Sequence, residues 1–100
     1  MNIKITSRKF KAKDSLKEFI TDELKSLERL NDDIMDANVI LSFTHQNQSI
    51  KTAEIILNIP GTLLTVMESS DEFTKSVDVS IAKLKRQLRK LKTKKIDSKR

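Results

Sequence analysis

Two hydrophobic periods alternate along this chain, and their order leaves few folds open. Ile3 and Ile5 alternate with Lys4 and Thr6, the two-residue period of a strand near residues 2–7. Leu16, Phe19, Ile20, Leu24, Leu27 and Leu30 then recur at three- and four-residue spacing, one apolar stripe of a helix. Asp14 or Ser15 opens this helix, Ser15-x-x-Glu18 suggests a capping box, and Asn31-Asp32-Asp33 ends it. Met35, Ala37, Val39, Leu41 and Phe43 alternate strictly, as do Ala53, Ile55, Leu57 and Ile59. The polar stretch 44–49 between them reads as a hairpin loop. Pro60-Gly61, the only proline and the only glycine, stand together as a tight turn. Leu63 to Met67 makes a last strand.

Ser69-x-x-Glu72 suggests a second capping box. Phe73, Val77, Ile81, Leu84, Leu88 and Leu91 then follow at spacings 4, 4, 3, 4 and 3, a helix of about 20 residues or more. The order is β-α-β-β-β-α. A sheet with one apolar face and two amphipathic helices has one simple solution: an α+β fold, a four-stranded sheet with both helices packed on one face. One hundred residues make one domain, with no linker or repeat.

The charge is polarised along this pattern. Residues 83–100 hold ten Lys/Arg and one acid, while residues 1–82 hold ten Lys/Arg and thirteen acids. Eight of the thirteen residues from 83 to 95 are basic, and no acid lies between Asp78 and Asp97. On the helix, Lys83, Arg86 and Lys90 project nearly opposite the apolar stripe, and Lys85, Arg89 and Lys92 flank it. A solvated helix ordinarily mixes signs, because i,i+4 pairs of opposite charge help it and like charges repel. The helix dipole favours cations at a C-terminus, which accounts for two or three lysines and not for eight. Fixed cations of this density call for a polyanion, of which nucleic-acid backbone is the commonest. A membrane-surface helix would also need apolar residues on its free face, and this one has none beyond the stripe that the sheet requires.

The chain has no Trp or Tyr, and Phe19, Phe43 and Phe73 fit the core pattern, leaving only Phe10 without a place. Single-strand readers rely on aromatic platforms. The expected ligand is therefore phosphate backbone and shape, as in a structured RNA, rather than bases. Arg8 and Lys9, after the first strand, are secondary candidates for backbone contact. No catalytic, metal or cofactor site is expected. His45 is the only histidine and there is no cysteine. Asp32, Asp33 and Asp36 lack the spacing of a calcium loop. One glycine cannot form a phosphate-cradling loop. Neither a small-molecule substrate nor a membrane partner is expected. No apolar run nears bilayer length, and Met1–Thr6 begins as a strand pattern, so the expected location is cytoplasmic.

The stretch from Asp71-Glu72-Phe73 to Val77-Asp78, followed by Lys83-Leu84-Lys85-Arg86-Gln87-Leu88-Arg89-Lys90-Leu91-Lys92, resembles the ribosome hibernation-promoting factor family, which includes the ribosome-associated inhibitor A proteins. The likeness extends to the opening M-N-I-x-I-T strand, to the L-K-E-F-I start of the first helix and to the order of elements. It implies a stress or stationary-phase factor that binds the small ribosomal subunit at 16S rRNA in the mRNA and tRNA channel and inhibits translation. Matched to the family's pattern, Lys83, Arg86, Lys90 and Lys92 are its basic RNA-contacting positions and Gln87 its polar one. Lys85, Arg89 and Lys94 are added on charge alone. Residues 1–95 would be the ribosome-binding domain, and 96–100 a short basic tail expected to be disordered. The short form, monomeric and without the long form's dimerising domain, is the nearer likeness.

This chain departs from the family in its first helix, where Glu23 and Ser26 replace usual lysines. Glu23 falls near the apolar stripe and is expected to reach a cation on the neighbouring helix, Lys75 or Lys83. Two rival readings remain. A double-stranded RNA-binding domain shares the α-β-β-β-α core but meets phosphate near the start of its last helix, here Asp71-Glu72. A protein-interaction module modulating a transcription factor would instead use the open face of the sheet, where Ile40 and Ile56 point.

Overall fold

The computed structural model describes residues 1–43 and 50–98, with side chains as far as Leu91. The elements are β1 (Asn2–Ser7), α1 (Asp14–Leu27), β2 (Asp36–Phe43), β3 (Lys51–Ile59), β4 (Thr62–Ser70) and α2 (Phe73–Ser98). The strands lie in the order β1-β2-β3-β4. β1 pairs parallel with β2, because α1 carries the chain back to the starting end of the sheet. The other pairs are antiparallel, and the register Ile59↔Thr62 leaves Pro60 and Gly61 as a two-residue turn. Gly61 has φ +81°, a value that glycine adopts at no steric cost.

Strand alternation divides the sheet into two unlike faces. Ile3 and Ile5, then Ala37, Val39 and Leu41, then Ala53, Ile55, Leu57 and Ile59, then Leu64 and Val66 face the helices. α1 adds Ile20, Leu24 and Leu27 to this layer, and α2 adds Val77, Ile81, Leu84 and Leu88. The expected α+β arrangement is what forms. Two buried serines lie on the underside of α2, and one of them ties the helix to the sheet. Ser76 Oγ donates to the Lys51 carbonyl at 2.7 Å, and Ser80 Oγ donates to the Ser76 carbonyl at 2.8 Å. Satisfying both hydroxyls inside the core avoids the cost of an unpaired buried polar group.

Local details differ from the sequence expectations where a side chain found a better partner. α1 begins at Asp14, but its cap is Lys13 in extended backbone, with no side-chain cap bond, so the Ser15–Glu18 box does not form. The helix ends at Leu27, and Leu30 is reached by a tight turn through its N–H to the Leu27 carbonyl, 3.0 Å. Asn31 Oδ1 then accepts the Asp33 N–H at 2.8 Å. Met35, read as the first buried residue of a strand, precedes β2 and is 49% exposed. Ser69 belongs to β4 and pairs with Thr52 Oγ1 at 2.7 Å, so the second capping box also fails. Ser70 takes over the turn into α2, its Oγ accepting the Glu72 N–H at 3.2 Å. The expected 44–49 loop lies outside the described residues.

Leu84 is fully buried where α2 meets the sheet. Leu84→Ala should cost about 2–5 kcal/mol of unfolding free energy. The check is a urea titration, in which the midpoint falls and the slope is kept.

Candidate nucleic-acid interface

Burial of one face of α2 dictates where its cations go. With Val77, Ile81, Leu84 and Leu88 beneath, Arg86, Arg89 and Lys90 are exposed on the outer surface. Lys85 and Gln87 are half-buried on the two flanks. No acidic residue stands on this helix between Asp78 and Asp97. Lys92 and Lys94 belong to α2 by backbone, but their side chains lie outside the described residues.

Lys83 forms an ion pair with Glu68 of β4. Part of its charge is thereby neutralised within the molecule. Arg8 and Lys9 occupy the β1–α1 connection. The Arg8 N–H continues the β1–β2 ladder to the Leu41 carbonyl at 2.9 Å, and Lys9 takes a left-handed φ of 66°. Such a value is uncommon for a residue with a Cβ and needs support from its surroundings. Phe10 supplies that support. Its ring stacks on Phe73 with centroids 5.2 Å apart and meets Phe43 edge-on at 4.8 Å. This trio is the place that the sequence left unassigned for Phe10. The available signal was a lone aromatic within a basic loop.

The trio also locates the loop. Phe73 is the first residue of α2, whereas Arg86 lies thirteen residues along it, about 20 Å at the α-helical rise. Arg8 and Lys9 are therefore at one end of the molecule, and the exposed cations of α2 lie toward the other. They form two separate clusters.

Glu23 does not reach the cations expected for it. Lys75 is held by Asp71 at 3.1 Å and Glu72 at 3.4 Å, and Lys83 is held by Glu68. Glu23 faces Asp78 across the α1–α2 contact. Hydrogen bonding to the Asp78 carboxyl, with partial burial, raises the Glu23 pKa above its ordinary 4.5, while Lys85 opposes the rise. At the start of α2, the Lys75 ammonium holds Asp71 below the usual carboxylate range. Among the described residues, no group of three or more His, Cys, Asp and Glu side chains could hold a metal ion. Nor is any described helix long and apolar enough to cross a membrane. His45 lies outside the described residues.

Residues 3–96 match the family described as Sigma 54 modulation protein / S30EA ribosomal protein. The chain belongs to this family. Among S30EA relatives, the ribosome hibernation promotion factor of Deinococcus radiodurans is 30% identical over 91 residues, covering 89% of this chain and 48% of that protein. The chain thus spans about half the length of that relative. Solved structures agree on the fold. A ribosomal subunit interface protein from Coxiella burnetii superposes with a TM-score of 0.84 at 26% identity, covering 93% of this chain and 99% of that one. The N-terminal domain of Thermus thermophilus Protein Y superposes with a TM-score of 0.80 at 27% identity, covering 91% and 99%. The S30EA match takes in both cationic clusters and all of the sheet but Asn2.

The Glu23–Asp78 contact has a definite pH signature. A carboxyl whose folded pKa is raised binds its proton more readily in the folded state. Stability is therefore lost as pH rises from the unfolded pKa through the folded one. Glu23→Gln should raise the melting temperature at pH 7, and the gain should vanish below about pH 4. Thermal melts of the two proteins across that range are the check.

Proposed function

We propose that this chain is a ribosome hibernation factor of the cytoplasm. It binds the small ribosomal subunit on 16S rRNA backbone in the mRNA and tRNA channel, and it inhibits translation under stress by occupying that space. The observation that carries the reading is the outer face of α2, where Arg86, Arg89 and Lys90 are exposed on a helix anchored by its buried underside. Membership of the S30EA family, and relatives named for ribosome hibernation and the subunit interface, support it.

The mechanism follows from electrostatics and volume. A rigid helix presents its cations at fixed spacing, so binding phosphate costs little ordering of the backbone. About five to seven such contacts would displace condensed counterions and make the affinity strongly dependent on salt. Residues 83, 85, 86, 87, 89, 90, 92 and 94 are the proposed contact set on α2, with Arg8 and Lys9 as a second, distant contact. Lys83 would contribute less than its charge implies, because Glu68 competes for it. A folded wedge in the channel excludes mRNA and tRNA sterically, and no bond is made or broken. One copy would act per subunit.

A general double-stranded RNA reader is the weaker alternative. It would bring the start of α2 to phosphate, and that end carries Asp71 and Glu72.

Co-sedimentation with purified small subunits across a salt series tests the reading. The log–log slope of affinity against salt should lie near −0.7 to −0.9 per phosphate contact. Changing Arg86, Arg89 and Lys90 together to Gln should reduce the magnitude of the slope by about 2–3 and weaken binding at every salt concentration. Absence of binding at low salt, or binding indifferent to the triple change, would sink the proposal.

A further inference from the structure

The two edges of the sheet are unequally protected. β1 has six residues and places Lys4 on the open face. β4 has nine, and its only ionisable side chain, Glu68, turns to the helix side and pairs with Lys83. Edge strands are usually blunted by shortness, outward lysines, prolines or bulges. β4 contains neither lysine nor proline, and its register with β3 runs unbroken from Thr62 to Ser70. Among the described residues, β4 makes no backbone hydrogen bond to any backbone other than β3.

The same strand carries the most exposed large hydrophobic side chains among the described residues. Leu63 is 64% exposed and Met67 is 59% exposed. They lie on the open face, two residues to either side of Thr65, with Ile56 of β3 opposite Thr65.

We propose that β4 is a self-association edge, at which a second copy of this chain pairs antiparallel about a twofold axis through Thr65. The register itself selects this occupant. Pairing about Thr65 sets Leu63 against the partner's Met67 on the open face, and Leu64 against the partner's Val66 on the helix side. Thr65 meets the partner's Thr65. Both copies keep their helices on the same side, giving one continuous eight-stranded sheet with isologous contacts. The two basic α2 helices flank the seam on the same side, so their repulsion opposes the pairing most at low salt, but within the strand pair like charges do not meet. Glu68 falls opposite the partner's Thr62, and the two Glu68–Lys83 pairs stand six strand residues apart, about 20 Å. That is roughly two Debye lengths in 0.1 M salt. The contact is a single strand edge with a narrow apolar stripe, which belongs with weak, concentration-dependent interfaces. β4 offers a route to a dimer that lies within this domain. This inference goes beyond the proposed function and is independent of RNA binding.

Two measurements on the free chain test it, without RNA. Sedimentation velocity over a wide concentration range should show the average mass rising toward twice that of the monomer. The rise should persist in 0.5 M NaCl, because the contact is backbone and apolar. Met67→Lys, at an exposed position that leaves the core intact, should weaken the association roughly tenfold or more. Thr65→Cys would introduce the chain's only thiol, and directly opposed strand residues lie within disulfide reach. Its oxidation should give a disulfide dimer far faster than Asn38→Cys, another exposed site on the open face, on β2. A monomer at every concentration, association untouched by Met67→Lys, or equal cross-linking at the two cysteine sites would each overturn the proposal.

Discussion

Seating the apolar underside of α2 on β3 and β4 is the interaction on which the rest of the molecule depends. Val77, Ile81, Leu84 and Leu88 enter the core, and Ser76 and Ser80 satisfy their hydroxyls against the β3 backbone and the helix itself. This contact closes the sheet's helix-facing side and gives α1 a second surface to pack on. It also turns Arg86, Arg89 and Lys90 outward. The run of basic side chains thus becomes a surface as a consequence of burying leucines. Repulsion among those cations opposes the helix by a few tenths of a kcal/mol per pair. Burying one leucine offsets several such pairs.

The same packing separates the charged groups by role. Lys83, on the β4 side of α2, is drawn to Glu68. Lys85, on the α1 side, lies where it tempers the Glu23–Asp78 contact. Arg86 and Lys90, farthest from the sheet, face solvent. The described cations of this basic helix therefore occupy unlike environments and do not form one uniform patch. The acidic pair between α1 and α2 adds a local negative charge beside that surface.

The aromatic trio performs a comparable service at the opposite end. Phe10, Phe43 and Phe73 come from a loop, a strand end and a helix start. Their mutual contacts hold the β1–α1 connection, including the left-handed Lys9, against the sheet. Aromatic pairs of this kind contribute about 0.5–1.5 kcal/mol each beyond their burial, comparable to the 1–3 kcal/mol of a strained backbone residue.

Period and charge order, both local properties, made much of this legible in advance. Strict alternation at Ala37, Val39 and Leu41 and at Ala53, Ile55 and Leu57 identified buried strand faces, and the stripe from Phe73 to Leu88 identified α2 with its outward cations. Helix boundaries and caps were less legible, because nothing in the sequence separates Ser69 from its neighbour Ser70 until strand pairing assigns Ser69 to Thr52 and leaves Ser70 at the turn. Lys75 pairs with its i−4 and i−3 neighbours Asp71 and Glu72, a local contact. The partners of Glu23 and Lys83 could not be read from spacing at all. Each depends on which faces of α1, α2 and β4 meet, and that is set by packing the whole core. Sequence alone determined the elements, their order and the polarity of each face, because these follow from periods of two and 3.6 residues. Tertiary structure decided which charges neutralise one another, where Phe10 goes and which sheet edge is left open, because each of those contacts joins residues far apart in the chain.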